Sequence, residues 1–210
     1  MKDKKDLTVG AAYALKTPED SKALYRDWAA TYDEDFAAAM DFLMPGHVAQ
    51  IFAENGGAVP VLDVGAGTGL VAAELLKRGI EDVDGLDIST EMLAVATSKG
   101  LYRKTILADL TIRLPLPDAS YHGVTSSGTF THGHVGPQAL DEMLRIAAHG
   151  AFFVLTIKPE HYAERGFEQK FDSFGDRIKD FSTASLPIYG APADAAHAQD
   201  MGLIASFRKV

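Results

Sequence analysis

A glycine-rich segment, Val61 to Gly69, holds the residues whose types and spacing most clearly indicate chemistry. It reads Val-Leu-Asp-Val-Gly-Ala-Gly-Thr-Gly, so a short apolar run leads into glycines at alternate positions. Glycine lets the backbone turn sharply and approach a ligand closely. We therefore expect a strand, a ligand-binding loop and then a helix, with the ligand at the carboxyl end of the strand.

The spacing of these glycines and one acidic residue indicate which ligand the loop binds. The dinucleotide pattern is Gly-x-Gly-x-x-Gly, but the third glycine position holds Leu70 and the glycine falls one residue earlier. Asp63 also precedes the first glycine by two residues. A carboxylate is poorly placed beside a pyrophosphate and well placed beside a cation. S-adenosylmethionine (SAM) carries a sulfonium and an ammonium and no phosphate, so the segment favours SAM over NAD.

Two more acids follow later strand-like runs. Asp87 ends a second run, where a carboxylate can accept hydrogen bonds from both ribose hydroxyls. Asp109 follows a third run and could accept from an adenine amino group. Each acid taken alone fits a helix cap or a solvated loop equally well. Three acids at the ends of three successive strands favour a nucleoside ligand.

These motifs together resemble the class I SAM-dependent methyltransferases. The matching stretches are Val61 to Gly69, Gly85 to Ser89, Ala108 to Leu110 and Leu114 to Tyr121. The stretch Tyr25 to Asp33 is similar to a subgroup that includes the Williams–Beuren-region methyltransferase-like proteins. The resemblance covers roughly residues 20 to 210 and implies a seven-stranded sheet whose last strand is antiparallel.

The resemblance also implies roles for individual residues. The loop would line the methionine part of SAM, Asp63 would reach its ammonium, and Asp87 would hold the ribose. Asp109 and the Leu110 backbone would contact the adenine, and Ile88 would pack on its face. The product would be S-adenosylhomocysteine (SAH). The residues expected to bind the cofactor in the core are Asp63, Gly65, Ala66, Gly67, Asp87, Ile88, Asp109, Leu110 and Ser126.

Three aromatic residues, Tyr25, Trp28 and Tyr32, recur at helical spacing before the first strand. Such a stripe usually packs into a core. The alternative is a lid whose rings cover the sulfonium by cation–π attraction. The resemblance favours at least one ring on SAM, and Trp28 and Tyr32 are the leading candidates.

The segment after the fourth strand-like run, Ser126 to His134, would lie at the same end of the sheet and is the candidate acceptor site. His132 and His134 could act as bases or substrate donors because histidine titrates near neutrality. Thr131 lies beside them. Both histidines could equally bond loop carbonyls, and no carboxylate at ligand spacing accompanies them, so we expect no metal.

Strand-like and helical segments alternate along the chain. This order predicts an α/β, doubly wound, mostly parallel sheet, with an antiparallel pair at one edge formed by the tail. We expect a tail over residues 1–16, a helical lead-in or lid over 17–57 that Pro45-Gly46 interrupts, and a SAM-binding core over 58–210. Strands are expected over 59–64, 83–88, 102–108, 121–126, 151–157, 185–189 and 203–210.

Composition restricts the partners. The 210 residues carry a net charge of −9, which disfavours nucleic acid as the main partner, and they include no cysteine for a thiolate nucleophile. No apolar run is long enough to span a bilayer, and we expect a cytoplasmic protein. We predict a methyltransferase acting on a small molecule, with the acceptor atom and the oligomeric state left open. A SAM-binding regulatory protein without turnover is the alternative, and a nicotinamide-dependent oxidoreductase is less favoured.

Overall fold

The computed structural model describes residues 17–131, 135–191 and 197–210. Within them lies a seven-stranded sheet in the order β3-β2-β1-β4-β5-β7-β6. The strands are β1 (Val61–Val64), β2 (Val83–Asp87), β3 (Lys104–Leu107), β4 (Tyr121–Phe130), β5 (Ala147–Ile157), β6 (Ile178–Pro187) and β7 (Met201–Lys209).

The sheet confirms the predicted topology. Strands β1 to β5 pair in parallel, whereas β7 runs antiparallel to both β5 and β6. Parallel neighbours need a crossover between them, and this is why helices alternate with the strands along the chain. The carboxyl ends of β1, β2, β3 and β4 therefore meet at one edge, where the glycine loop begins.

Short helices cover the sheet and precede it. A capping box begins the first of them: the Thr17 hydroxyl accepts from the Asp20 backbone, and the Asp20 carboxylate accepts from the Thr17 backbone. The α-helices are α1 (Pro18–Trp28), α2 (Met44–Glu54), α3 (Leu70–Leu76), α4 (Thr90–Ser98), α5 (Ala139–Ile146), α6 (Pro159–Glu164) and α7 (Phe167–Phe174).

The lead-in is less regular than the sequence pattern suggests. A turn follows α1, and a π-helix then spans Asp33–Ala38. Pro45 lies in the first turn of α2, so Pro45-Gly46 begins a helix rather than merely interrupting one. Proline is tolerated there because its missing N–H would have no helical partner.

The lead-in is joined to the far end of the chain. Phe42 and Tyr189 form an antiparallel β-bridge. On either side of it, the Leu43 N–H donates to the Ile188 carbonyl and the Gly190 N–H donates to the Asp41 carbonyl, both at 2.9 Å. Residues after β6 therefore hold the lead-in against the body of the protein.

Neighbouring residues of the strands contribute to two apolar clusters. Leu62 and Phe153 belong to one cluster, and Val61 and Phe152 belong to the other. Because successive strand side chains point to opposite faces, the sheet is covered on both sides. In the described residues, no helix has both the length and the apolar character needed to cross a bilayer.

Candidate functional site

The glycine loop turns from β1 into α3 at the sheet edge. Gly65, Gly67 and Gly69 all have positive φ, at 70°, 53° and 93°. A Cβ on Gly65 would lie 1.9 Å from the Thr129 Oγ1, whereas a Cβ on Gly67 would have no atom within 4 Å. The loop is therefore packed against β4 at Gly65 and open at Gly67.

Asp87 joins this loop to the end of β2. Its Oδ2 accepts a 2.8 Å hydrogen bond from the Gly67 N–H, and its Oδ1 accepts one of 2.8 Å from the Ser89 N–H. Burial raises the pKa of Asp87, and these backbone donors oppose that rise. The carboxylate still has acceptor capacity for a ligand because each oxygen has two lone pairs.

An open cleft lies between the loop, the ends of β2 to β4 and the lead-in. Asp109 and Leu110 lie on its wall after β3, and the Asp109 Oδ1 accepts from both the N–H and the hydroxyl of Thr111. Of the cofactor residues expected from the core, those that line the cleft are Gly65, Ala66, Gly67, Asp87, Ile88, Asp109 and Leu110.

Asp63 does not line the cleft and lies buried within β1. It is 1 % exposed, and its two oxygens accept from the Tyr102 hydroxyl at 2.6 Å and the Thr125 hydroxyl at 3.2 Å. Burial raises the pKa of Asp63 to about 7. Asp63 is not among the residues that line the cleft, so its contact with an ammonium stays a prediction. Its hydrogen bonds connect β1 to β4 through Thr125 and to Tyr102.

Ser126 and Ser127 have different surroundings. The Ser126 side chain is fully buried and donates to the Val64 carbonyl at 2.7 Å. Ser127 lines the cleft, and its enclosed Oγ has no hydrogen-bond partner among the described residues. Side chains of adjacent strand residues point to opposite sides of a sheet. This alternation along β4 is the sequence signal that could have identified Ser127, rather than Ser126, as the residue that lines the cleft.

The three lead-in aromatics line two adjoining cavities, and Tyr25 and Tyr32 line both of them. Tyr25 and Tyr32 line the cleft, and burial raises the pKa of Tyr32 well above its ordinary value. Trp28 is 1 % exposed and lines an adjoining second cavity instead. Of the two leading candidates for a ring on SAM, only Tyr32 faces the cofactor cleft.

An interaction that the sequence pattern did not reveal fastens the lead-in to the loop. Asp33 accepts a 2.5 Å hydrogen bond from the Thr68 hydroxyl and forms an ion pair with Lys99. The Lys99 ammonium also donates to the Thr68 carbonyl at 2.6 Å. Asp33, Thr68 and Lys99, called the latch below, thus connect the π-helix, the glycine loop and the end of α4.

The candidate acceptor residues are only partly within the described chain. Thr131 lines the second cavity, and its hydroxyl donates to the Gly128 carbonyl at 2.6 Å. His132 and His134 lie outside the described residues. In the part of the chain that the structure does describe, no three His, Asp or Glu side chains are grouped to hold a metal ion.

The residues of the cleft fit SAM. Asp87 and Asp109 offer carboxylate acceptors, and no lysine or arginine is among the described residues that line the cleft. This donor set suits a cationic nucleoside and not a pyrophosphate. The enclosed Ser127 hydroxyl needs a partner that the described residues do not supply, and Gly67 leaves space for a ligand to approach the backbone.

Comparison with known proteins agrees with this geometry. Residues 62–155 match the family model described as a methyltransferase domain. The chain therefore carries a class I SAM-dependent methyltransferase domain. The matched region runs from β1 to β5 and contains the glycine loop with both cleft acids.

Curated relatives extend the similarity beyond this methyltransferase domain. The chain is 32% identical over 155 residues to human methyltransferase-like protein 27, covering 71% of this chain and 62% of that protein. It is also 32% identical over 144 residues to the demethylmenaquinone methyltransferase of Beutenbergia cavernae, covering 67% and 59%. The chain thus spans about three fifths of the length of these relatives.

Solved structures share the fold at low identity. A SAM-dependent methyltransferase from Aquifex aeolicus is 20% identical with a TM-score of 0.61, covering 87% of this chain and 98% of that chain. The [4+2]-cyclase SpnF is also 20% identical with a TM-score of 0.59, covering 78% and 80%. A cyclase with this fold means that the reaction has to be argued from the site and not from the architecture.

Proposed function

We propose that the protein transfers a methyl group from SAM to a small-molecule acceptor, leaving SAH. The observation that carries this proposal is the cleft at the carboxyl ends of the strands, with two carboxylates and no basic side chain among its described residues. A second cavity adjoins the cleft and shares Tyr25, Tyr32, Phe42 and Gly128 with it. Two adjoining cavities provide one place for the methyl donor and one for the acceptor.

Each cofactor residue has a role in this proposal. Asp87 accepts from the ribose hydroxyls while Gly67 and Ser89 fix its orientation. Asp109 keeps an oxygen for the adenine amino group, and Leu110 and Ile88 pack on the base. The loop backbone and the Ser127 hydroxyl face the methionine portion.

Methyl transfer depends mainly on how the protein positions the methyl donor and the acceptor. Bound SAM supplies an electrophilic methyl group for an in-line displacement. The chain holds the acceptor beside the cleft and excludes water, and such orientation supplies much of the acceleration. The lead-in, residues 17–57, acts as a lid, and its Tyr25 and Tyr32 cover the cleft. His132 is the candidate base, with His134 and Thr131 as further candidate contacts to the acceptor.

The names of relatives support a small acceptor. The relative from Beutenbergia cavernae is named for demethylmenaquinone, a small molecule. The net charge of −9 argues against a nucleic-acid acceptor. The proposal includes a cytoplasmic location, which the cysteine-free sequence favours.

Two measurements test the function. Calorimetry with SAM, SAH and NAD should show binding of the first two, because the cleft offers carboxylates where a pyrophosphate would need donors. Incubating the protein and labelled SAM with a fractionated metabolite extract should then yield SAH and one labelled product. NAD binding more tightly than SAH would overturn the cofactor assignment. Tight SAM binding without turnover in any fraction would instead favour a regulatory SAM-binding protein.

A further inference from the structure

The second cavity has an aromatic wall. Six rings line it, and they contact one another in a chain: centroids are 5.4 Å apart for Trp28 and Phe36 and 6.1 Å apart for Phe36 and Tyr189. Phe36 and Tyr189 are nearly buried, so the wall is held by packing. Aromatic faces and edges bind other flat rings in stacked and edge-on arrangements. The six rings are Tyr25, Trp28, Tyr32, Phe36, Phe42 and Tyr189.

One polar atom of this wall has no partner. The indole Nε1 of Trp28 is enclosed and makes no hydrogen bond to the described residues. An indole N–H is a donor only, and a buried donor without an acceptor is costly. The two threonine hydroxyls that line the cavity bond to the Gly128 backbone and not to the indole: Thr131 donates to the Gly128 carbonyl, and Thr156 accepts from the Gly128 N–H. The indole N–H is therefore a donor without an acceptor among the described residues, and an oxygen of a ligand in this cavity would supply one.

The charge of the cavity excludes one class of ligand. Aromatic cages often bind cations. Here Lys158 lines the cavity, and it alone is charged among the described lining residues. No carboxylate among them would compensate an incoming ammonium group, so a neutral or anionic ligand fits better.

We propose that the second cavity is an acceptor subsite for a flat aromatic alcohol or enol, whose oxygen accepts a hydrogen bond from the Trp28 indole N–H. The inference rests on the proposed function and names its substrate class. In the transfer, the bond from methyl to sulfonium sulfur breaks, an oxygen–methyl bond forms, and the hydroxyl proton passes to solvent. The sulfur leaves with the electron pair as the neutral thioether of SAH.

Four probes test this subsite on the unmodified protein with SAH bound. They are 1-naphthol, naphthalene, decahydro-1-naphthol and protonated 1-naphthylmethylamine. Trp28 is the single tryptophan of the chain, so its ¹⁵N-labelled indole gives one NMR signal that reports on the cavity. We expect 1-naphthol to shift this signal downfield and to bind about three- to tenfold more tightly than naphthalene, as one neutral hydrogen bond provides. The non-planar alcohol and the amine should bind more weakly than 1-naphthol.

The Trp28→Phe variant is the matched test of the indole N–H. It keeps a ring and removes the donor, so the preference for 1-naphthol over naphthalene should vanish in calorimetry while SAH affinity is retained. Equal binding of 1-naphthol and naphthalene, tighter binding of the amine, or a preference that survives in Trp28→Phe would each overturn the subsite. If the unmodified protein does not bind SAH, the proposed function is refuted instead. The same probes, measured without SAH, would still test the cavity.

Discussion

The carboxylate of Asp33 lies 2.5 Å from the hydroxyl of Thr68, so a residue of the lead-in is hydrogen-bonded directly to the glycine loop. Lys99 completes the latch by pairing with Asp33 and donating to the Thr68 carbonyl. Two segments that both line the cleft are therefore connected to each other. A ligand that orders the loop should also order the lead-in.

Breaking the latch should loosen the lead-in. In Asp33→Asn and Lys99→Met we expect faster amide exchange over residues 20–36, and in the unmodified protein we expect SAH to slow that exchange. The ion pair is about one-third exposed on both sides, so a double-mutant cycle in urea should give a coupling of only about 0.5–1 kcal/mol. Glu34→Gln, which changes the neighbouring exposed acid, should leave exchange unchanged. If the amide exchange rate over residues 20–36 is the same in the variants and in the unmodified protein, with and without SAH, the lead-in is not a lid.

Alanine at two glycines should separate packing from ligand access. Gly65→Ala should lower the free energy of unfolding by on the order of 2–4 kcal/mol, because positive φ is strained for alanine and the new methyl meets the Thr129 hydroxyl. Gly67→Ala introduces the backbone strain without a steric clash, so it should lower the free energy of unfolding by only about 1 kcal/mol. It should nevertheless weaken SAH binding, because its methyl enters the open cleft. Urea denaturation and calorimetry measure the two effects, and equal destabilisation by both variants would refute the difference in packing.

Removing the Asp87 carboxylate should weaken cofactor binding. We expect Asp87→Ala to reduce SAH affinity by about 1.5–3 kcal/mol, since hydrogen bonds to a charged acceptor are lost and the Gly67 and Ser89 N–H groups lose their partner. Asp172→Ala, at an exposed acid on α7, is the control and should bind SAH normally. A folded Asp87→Ala protein with unchanged SAH affinity would remove Asp87 from the ribose site.

Asp63 should make stability depend on pH. Its pKa of about 7 in the folded protein exceeds the ordinary 3.8, so the folded state holds a proton that the unfolded state releases. Stability from this group is present at low pH and is lost as pH rises towards 7. Between pH 5 and pH 8 the unmodified protein should lose on the order of 2–3 kcal/mol relative to Asp63→Asn. Urea denaturation of both proteins measures this difference, and parallel pH profiles would show that Asp63 is already ionised at pH 5.

The sequence predicted those parts of the site that local spacing determines. The glycine loop, Asp87 and Asp109 each lie at or just after the carboxyl end of a strand, so their position at the sheet edge follows from parallel topology. The partners of Asp63 and Asp33 could not be read in this way. Tyr102 is 39 residues from Asp63 and Lys99 is 66 residues from Asp33, and no local pattern encodes such contacts.

The lead-in shows the same limit. Helical spacing correctly predicted α1 and its cap, but the turn and the π-helix after Trp28 change the direction of later residues. Which ring meets the cleft depends on this packing, and hence Tyr32 and not Trp28 lies there. On β4, the choice between Ser126 and Ser127 needed the side-chain alternation of a strand that continues to Phe130.

The bridge between Phe42 and Tyr189 has a consequence for how the protein folds. These two residues come from nearly opposite ends of the sequence, and both belong to the aromatic wall of the second cavity. Contacts of such long sequence separation carry a large loop-closure entropy and form slowly. The proposed cofactor end of the site is built from consecutive strand–helix units and can assemble early. The acceptor end is completed late, so an intermediate in refolding should gain SAH binding before its tryptophan becomes shielded from solvent.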